Sequence, residues 1–445
     1  MSESAVGSQF PPALRIVPVE GPVDGVVELP GSKSITNRAL LIAALARGES
    51  VLDNALFCDD SLHLGRALRD LGVPVLEDES RGRIAVDGAG GPFSVSSGRF
   101  FLGNAGTSTR FLTAALTLAP GDYIIDGDDR MRTRPIAELV SALRALGATI
   151  EAPSGCPPVT IGSKDSRSRL SGGSVVMGGR TSSQFISAIL LAAPLAGRDV
   201  EVIIEGECVS KPYLDITLGV MKQFGAHSYR DDGRADGRTS FCASAGKGYQ
   251  GQDYRVEGDA SSASYFLAAA ALTGGKISIE GVGRMSVQGD AQFADVLAAM
   301  GCHVKKDVDS IGIAGDILRG VEVDCGDMPD IVPTLAVVAL FARGRTRIRN
   351  VAHLRYKESD RLRSVATELK KLGGRVKELP DGLEVEESSL EGTTLETWDD
   401  HRLAMAFSVA GLRVPDVVIR DPKVVSKSFP DYFSRLTDLG VEVVE

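Results

Sequence analysis

The chain repeats itself six times, and no other feature constrains its fold as tightly. One half of the repeat has apolar residues at helical spacing, then glycine, then a β-prone pair. Its copies are LGRALRDLGVPV (64–75), LVSALRALGATI (139–150), ITLGVMKQFGAHS (216–228), FADVLAAMGCHV (293–304), RSVATELKKLGGRV (363–376) and YFSRLTDLGVEV (432–443). Glycine just past a helix takes the left-handed conformation that other residues resist, so each copy predicts a helix, a stop and a strand. The other half is a helix of small residues opened by polar ones and followed by a turn and a strand. Its copies begin near Ser34, Gly106, Ser183, Ser262, Asp330 and Asp400. The period of about 70–80 residues is longer than that of common solenoid repeats, and each copy carries two helices and several strands. Plain α/β alternation would not return the same two halves, in the same order, six times.

Six units divide naturally into three and three. A polar, Gly-rich stretch at 231–252 (DDGRADGRTSFCASAGKGYQGQ) marks the midpoint. It contains a formal G-x-G-x-x-G at Gly246, Gly248 and Gly251, but this does not join a strand directly to a helix, so a loop is expected rather than a dinucleotide site. Length alone, 445 residues, also suggests two or three domains, and 43% hydrophobic residues suffice for a sizeable core. A net charge of −10 argues against a general nucleic-acid or anionic-membrane partner, yet leaves room for a locally basic pocket. Six scattered cysteines without C-x-x-C read as reduced thiols of a cytoplasmic chain. The opening MSESAVGSQFPPALRIVP is expected to carry no signal peptide. The apolar run FISAILLAAPLAG at 185–197 falls short of the ~18–20 residues that cross a membrane.

The unusual polar residues gather at the starts of the small-residue helices. Such ends present unpaired N–H groups and a positive dipole, which suit anions. Ser, Thr, Asn or Asp at any one of them can equally be an ordinary cap; caps do not explain the accompanying Lys and Arg. In LPGSKSITNR, Lys33, Ser34 and Arg38 are placed to reach one anion. In LGNAGTSTRFL, Gly106 lets a ligand approach the backbone. DDRMRTRP groups Arg130, Arg132 and Arg134, although a charge run is usually a solvated face. RTSSQF (Ser182, Ser183, Gln184) and VSKPYLDITL (Ser210, Lys211, Tyr213) offer neutral donors for a hydroxylated ligand. Later come Asp330 in DMPDIVPT, then Arg355, Lys357, Glu358, Asp360 and Arg361 in HLRYKESDRL, which can also be read as a salt-bridged exposed helix start. WDDHRLAMAF adds His401 and Arg402, and DPKVVSKSF adds Lys427. His63, His227, His303 and His353 show no metal-ligand spacing, so neither metal nor cofactor is expected.

The ordered set PGSKSITNR, GNAGTSTR, SSQF, VSKPYLDITL, GDASSASYFLAAAAL, RYKESDR and DHRLAMAF resembles the 5-enolpyruvylshikimate-3-phosphate synthases from about residue 25 to the C-terminus. The resemblance implies a two-domain inside-out α/β barrel of six βαβαββ repeats, three per domain. The implied domains are 29–257, and 1–28 with 258–445. It also implies a site in the cleft between them that closes on substrate. The implied substrates are phosphoenolpyruvate and shikimate 3-phosphate, handled by a monomer.

Carried over by motif, Lys33, Ser34 and Arg38 line the junction of the two substrates. Asn104, Gly106, Arg130, Gln184, Arg361, Arg402 and Lys427 fall to phosphoenolpyruvate, with Lys33. Ser182, Ser183, Gln184, Ser210, Tyr213, Asp330 and Lys357 fall to shikimate 3-phosphate, with Lys33, Ser34 and Arg38. Asp330 and Glu358, assisted by Lys33, become the acid–base candidates. The resemblance also implies inhibition by glyphosate. The sequence departs from the family pattern at Phe111, where Pro often follows the GNAGTxxR motif, and at His353, where Asn often precedes R-x-K-E. UDP-N-acetylglucosamine enolpyruvyl transferases share the donor, but a P-G-[ND]-K-N start would be expected of them.

Overall fold

The computed structural model describes residues 10–162, 169–180 and 182–445; the first nine residues of the leading segment lie outside it. The chain divides into two compact units. One is Pro30–Gly258 with Val287–Gly289; the other joins the chain up to Leu29 to Asp259–Ser286 and Asp290–Glu445.

Twelve α-helices occur among the described residues. In chain order they are α1 (Lys33–Leu45), α2 (Asp59–Asp70), α3 (Gly106–Ala115), α4 (Ala137–Ala145), α5 (Ser183–Ala192), α6 (Lys211–Gln223), α7 (Ala260–Thr273), α8 (Phe293–Met300), α9 (Val332–Ala339), α10 (Arg361–Lys371), α11 (His401–Gly411) and α12 (Tyr432–Asp438). Beyond their polar openings the odd-numbered helices have no polar face, and every residue of α11 is buried. A helix without a polar face has to lie inside a core. Accordingly α3 packs against α1 and α5 in one unit, while α7, α9 and α11 pack on one another in the other. The even-numbered helices bury only a stripe. Each ends where the repeat places its glycine: Gly72, Gly147, Gly225, Gly301, Gly373 and Gly440 have φ between +83° and +124°.

Six four-stranded sheets cover these helices, three in each unit. The pattern is clearest around α3 and α4. There Ser97–Phe101 lies parallel to Asp122–Asp126, which pairs antiparallel with Val159–Ile161, and that strand pairs antiparallel with Ile150–Glu151. With its two helices this is a βαβαββ repeat, with buried and exposed residues alternating along the strands. Helices inside and sheets outside make each unit an inside-out α/β assembly.

Three of the sheets are completed from elsewhere in the chain. Asp253–Arg255, after the third repeat, lies parallel to Arg47–Asp53 of the first. In the other unit Gly25–Glu28 lies parallel to Lys276–Glu280, and Ala13–Ile16 lies between Val417–Arg420 and Val443–Val444.

Four of the six small-residue helices start within one residue of the position expected from the sequence. The fourth in order, α7, starts earlier, because Asp259 rather than Ser262 is its cap and accepts the Ser262 N–H at 2.9 Å. The fifth, α9, starts later: Asp330 sits in a 3-10 turn, Pro329–Ile331, ahead of it. Pro333 then occupies the first turn of α9, where a missing N–H costs nothing.

Candidate active site

In the Pro30–Gly258 unit the expected residues lie at or near the starts of α1, α3, α5 and α6, except Arg130, which precedes the 3-10 turn Met131–Thr133. Lys33 opens α1 and is buried, its Nζ 3.9 Å from Oδ2 of the buried Asp60. Ser34 is the next residue of the helix. Arg38, one turn on, is turned inward. Its Nε donates to Thr217 Oγ1 at 2.7 Å and its Nη1 to the Ser34 carbonyl at 2.7 Å. Its Nη2 reaches Ser187 Oγ and the Tyr213 carbonyl, both at 3.2 Å. The guanidinium carbon lies 5.0 Å from the centre of the Phe111 ring. Burial lowers its pKa to about 10. The three residues expected on one anion are therefore divided: Lys33 and Ser34 at the helix start, and Arg38 as a strut joining α1, α5 and α6. Phe111, a departure from the family pattern, is the ring that supports this strut.

Gly106 opens α3. A Cβ there would stand 2.5 Å from Arg134 Nη2 and 2.8 Å from Arg110 Nη1. Two arginine heads occupy the space that sequence reasoning leaves to a ligand. Arg134 is buried and its Nη1 donates to Asn104 Oδ1 at 2.9 Å. Of the three arginines in DDRMRTRP, Arg132 pairs with Asp126 and is exposed, Arg130 is half-buried beside Thr133, and Arg134 anchors Asn104. Sequence reasoning groups Arg134 with Arg130 and Arg132 but carries only Arg130 into the site, because the position of Arg134 four residues on gives no sign of burial. Gln184 Nε2 donates to Thr107 Oγ1 at 3.3 Å, tying the start of α5 to that of α3. Ser182 caps α5, Ser183 is its first residue, and Ser210 precedes α6 with a left-handed φ of +57°. Tyr213 lies in the first turn of α6.

The other unit gathers its residues around one guanidinium. Arg361, first residue of α10 and 2% exposed, donates to three carboxylates. Nη1 meets Asp330 Oδ1 at 2.7 Å, Nη2 meets Glu358 Oε2 at 2.7 Å, and Nε meets Asp400 Oδ2 at 2.8 Å. Arg402, on α11, donates from Nη2 to the other Asp330 oxygen at 2.7 Å. Burial by itself would raise the Asp330 pKa, but Arg402, Lys357 and Arg361 outweigh it and hold the carboxyl well below its usual range. Asp330 is therefore a charged acceptor at rest. Lys427, buried, ends the 3-10 turn Pro422–Lys427.

The RYKESDR motif serves two ends. Arg355 pairs with Asp360 and Glu378, and Asp360 caps α10, as in an ordinary salt-bridged helix start. Glu358 and Arg361 belong to the buried cluster, and Lys357 lies in the field of Asp330. His353 stays neutral, because burial and then Lys357 push its pKa down to about 4. Two carboxylates here escaped sequence reasoning. Asp400 hides within a helix-capping pattern. Asp290, in QGDAQF, carries no motif at all; it is buried against Ser261 Oγ, and burial followed by Asp330 raises its pKa to about 7. Among the described residues no group of three or more His, Cys, Asp or Glu is placed to hold a metal ion.

Among solved structures, EPSP synthase from Acinetobacter baumannii matches this chain with a TM-score of 0.79 at 27% identity, covering 97% of this chain and 100% of that one. The enolpyruvyl transferase NikO from Streptomyces tendae matches at a TM-score of 0.77 and 20% identity, over 97% and 98% of the two chains, which bears on the fold alone. Six βαβαββ repeats with lysine, arginine and carboxylates at their helix starts define an enolpyruvyl transferase. Curated relatives carry the name 3-phosphoshikimate 1-carboxyvinyltransferase. The Vibrio campbellii protein is 47% identical over 94% of this chain and 97% of its own, and the Nostoc punctiforme protein 43% identical over 95% and 98%. The family described as EPSP synthase (3-phosphoshikimate 1-carboxyvinyltransferase) matches residues 18–436, and the chain belongs to it.

Proposed function

We propose that this chain transfers the enolpyruvyl group of phosphoenolpyruvate to the 5-hydroxyl of shikimate 3-phosphate and releases phosphate, on the route to chorismate and the aromatic amino acids. The observation that carries the reading is Asp330, just ahead of α9, held between Arg361 at the start of α10 and Arg402 at the start of α11. Two guanidinium groups converging on one carboxylate are poised to exchange it for the carboxylate or phosphate of an incoming ligand.

The exchange has a consequence for proton transfer. A carboxyl held far below its usual range is a weak base. When phosphoenolpyruvate takes N–H groups of Arg402 and Arg361, Asp330 loses its partners and its proton affinity rises. It then accepts the proton of the attacking hydroxyl. Glu358, assisted by Lys33, serves the proton transfer to C3 of phosphoenolpyruvate while the hydroxyl oxygen bonds to C2, giving a tetrahedral intermediate. That intermediate loses the C3 proton and inorganic phosphate together, which restores the double bond. Lys33, Arg130, Arg361, Arg402 and Lys427 stabilise the phosphate as it leaves. Arg38 acts through the backbone of Ser34 and Tyr213.

Released phosphate, measured with phosphoenolpyruvate and each acceptor in turn, tests the reading. Phosphate should appear with shikimate 3-phosphate, and not with UDP-N-acetylglucosamine or without an acceptor. Release with the nucleotide sugar alone would overturn it. We place the enzyme in the cytoplasm as a monomer; among the described residues no helix is long and apolar enough to cross a membrane. A dimer mass in size-exclusion light scattering would correct this.

A further inference from the structure

Two consecutive residues just before α11, Trp398 and Asp399, have left-handed backbone angles, φ +54° and +53°. Neither is glycine. For a residue as bulky as tryptophan this conformation is strained and persists only where the surroundings impose it. The turn they form ends on Asp400, whose carboxylate caps α11 by accepting the Arg402 N–H at 3.1 Å. Whatever imposes the turn therefore fixes where Arg402 points.

The constraint is a carboxylate with no other evident purpose. Glu368, two turns along α10 from Arg361, has a fully buried side chain. Its Oε1 accepts the Trp398 indole N–H at 2.9 Å. Its Oε2 accepts the Glu396 backbone N–H at 3.0 Å and the Lys371 ammonium at 2.8 Å. Arg361, at the other end of the same stretch of helix, holds Asp400 through Nε at 2.8 Å and Nη2 at 3.2 Å. The segment 396–400 is thus fastened to α10 at two points roughly 10 Å apart along the helix axis, with the strained pair between them. Trp398 itself is 46% exposed, so packing alone does not hold it.

We propose that Glu368 and Trp398 are positioning residues for Arg402, a tie that holds the strained turn and so aims the guanidinium at the donor substrate. The proposal rests on the reading of Arg402 as a phosphoenolpyruvate ligand. Neither residue touches the reacting atoms; both act through the turn.

The test is steady-state kinetics on Trp398→Phe, Glu368→Ala and Glu368→Gln, with Arg402→Lys in parallel and Tm recorded for each. Trp398→Phe keeps the ring and deletes only the donor. It should raise KM for phosphoenolpyruvate by about five- to tenfold and leave kcat within about twofold. Glu368→Ala should do the same or more. Glu368→Gln keeps a carbonyl oxygen for the indole, so its KM should return to within about twofold of the parent. A tie that served only the fold would lower Tm and leave KM alone. Unchanged KM in Trp398→Phe, with KM raised in Arg402→Lys, would overturn the positioning role by itself. Unchanged KM in Arg402→Lys would remove the ligand reading beneath it. Should Glu368→Ala fail to fold, Trp398→Phe and Glu368→Gln decide.

Discussion

Arg361 organises the second cluster because one planar fork serves three carboxylates at once, and their charges keep it protonated despite complete burial. Glu358 shares that fork with Asp330, so the two acid–base candidates are electrostatically linked. Glu358→Gln keeps the shape and one acceptor but ends proton exchange. Its kcat should fall by ~10²–10⁴-fold with the circular dichroism spectrum unchanged. A kcat within a few-fold of the parent would move Glu358 to the structural ion pairs. Asp290 gives the pH prediction. Its folded pKa of about 7 lies above the ordinary 3.8, so the folded state binds the extra proton between these values. The stability this carboxyl contributes is complete below about 4 and is lost as pH rises through 7. Asp290→Asn removes the buried charge, and should be more stable than the parent at pH 8 by on the order of 4 kcal/mol, with the advantage gone at pH 4. Urea titrations at the two pH values check this; an equal difference at both would show that Asp290 does not titrate in that window.

Individual elements were legible wherever a local rule decides them. The six glycines that stop the even-numbered helices were readable because left-handed φ is a single-residue property. The small-residue helices were readable because their composition leaves no polar face. What the sequence could not disclose is which long side chain turns inward. Arg38 and Lys33 share one helix start, yet only Arg38 finds Thr217, Ser187 and the Phe111 ring across three neighbouring helices. Inward-turned arginines also build the start of α3. A Cβ on Gly106 pushes on Arg134 and Arg110, whose heads are fastened to Asn104 and to the Pro135 carbonyl. Gly106→Ala thus reaches the donor site by displacing Arg134 and Asn104. Glyphosate should compete with phosphoenolpyruvate, and Gly106→Ala should raise its Ki more than the KM for phosphoenolpyruvate, with both rising. Inhibition curves at several phosphoenolpyruvate concentrations decide; identical glyphosate sensitivity in the two proteins would mean that the arginine heads absorb the methyl group without moving Asn104.

At the scale of the whole molecule, the repeats close on themselves by unequal means. The sequence shows six copies but not which strand completes which sheet, because that pairing joins segments hundreds of residues apart and no local pattern encodes it. The Pro30–Gly258 unit is closed by its own last strand, Asp253–Arg255 beside Arg47–Asp53. The other unit depends on the leading segment. Ala13–Ile16 is an inner strand of its last sheet, Gly25–Glu28 an edge of its first, and Ile16, Val23 and Val27 lie in its core. Deleting residues 1–28 removes an inner strand, an edge strand and these three core side chains. Burying each such side chain contributes about 1.5–3 kcal/mol, so the loss approaches the whole stability of a domain. The truncated chain should therefore lose the cooperative unfolding of 259–445 while 30–258 stays folded. Calorimetry should show one transition where the full chain shows the contribution of both units, and limited proteolysis should leave a fragment close to 30–258. A truncated chain with the parent's heat of unfolding, resistant to protease across 259–445, would show that the later repeats hold together without their borrowed strands.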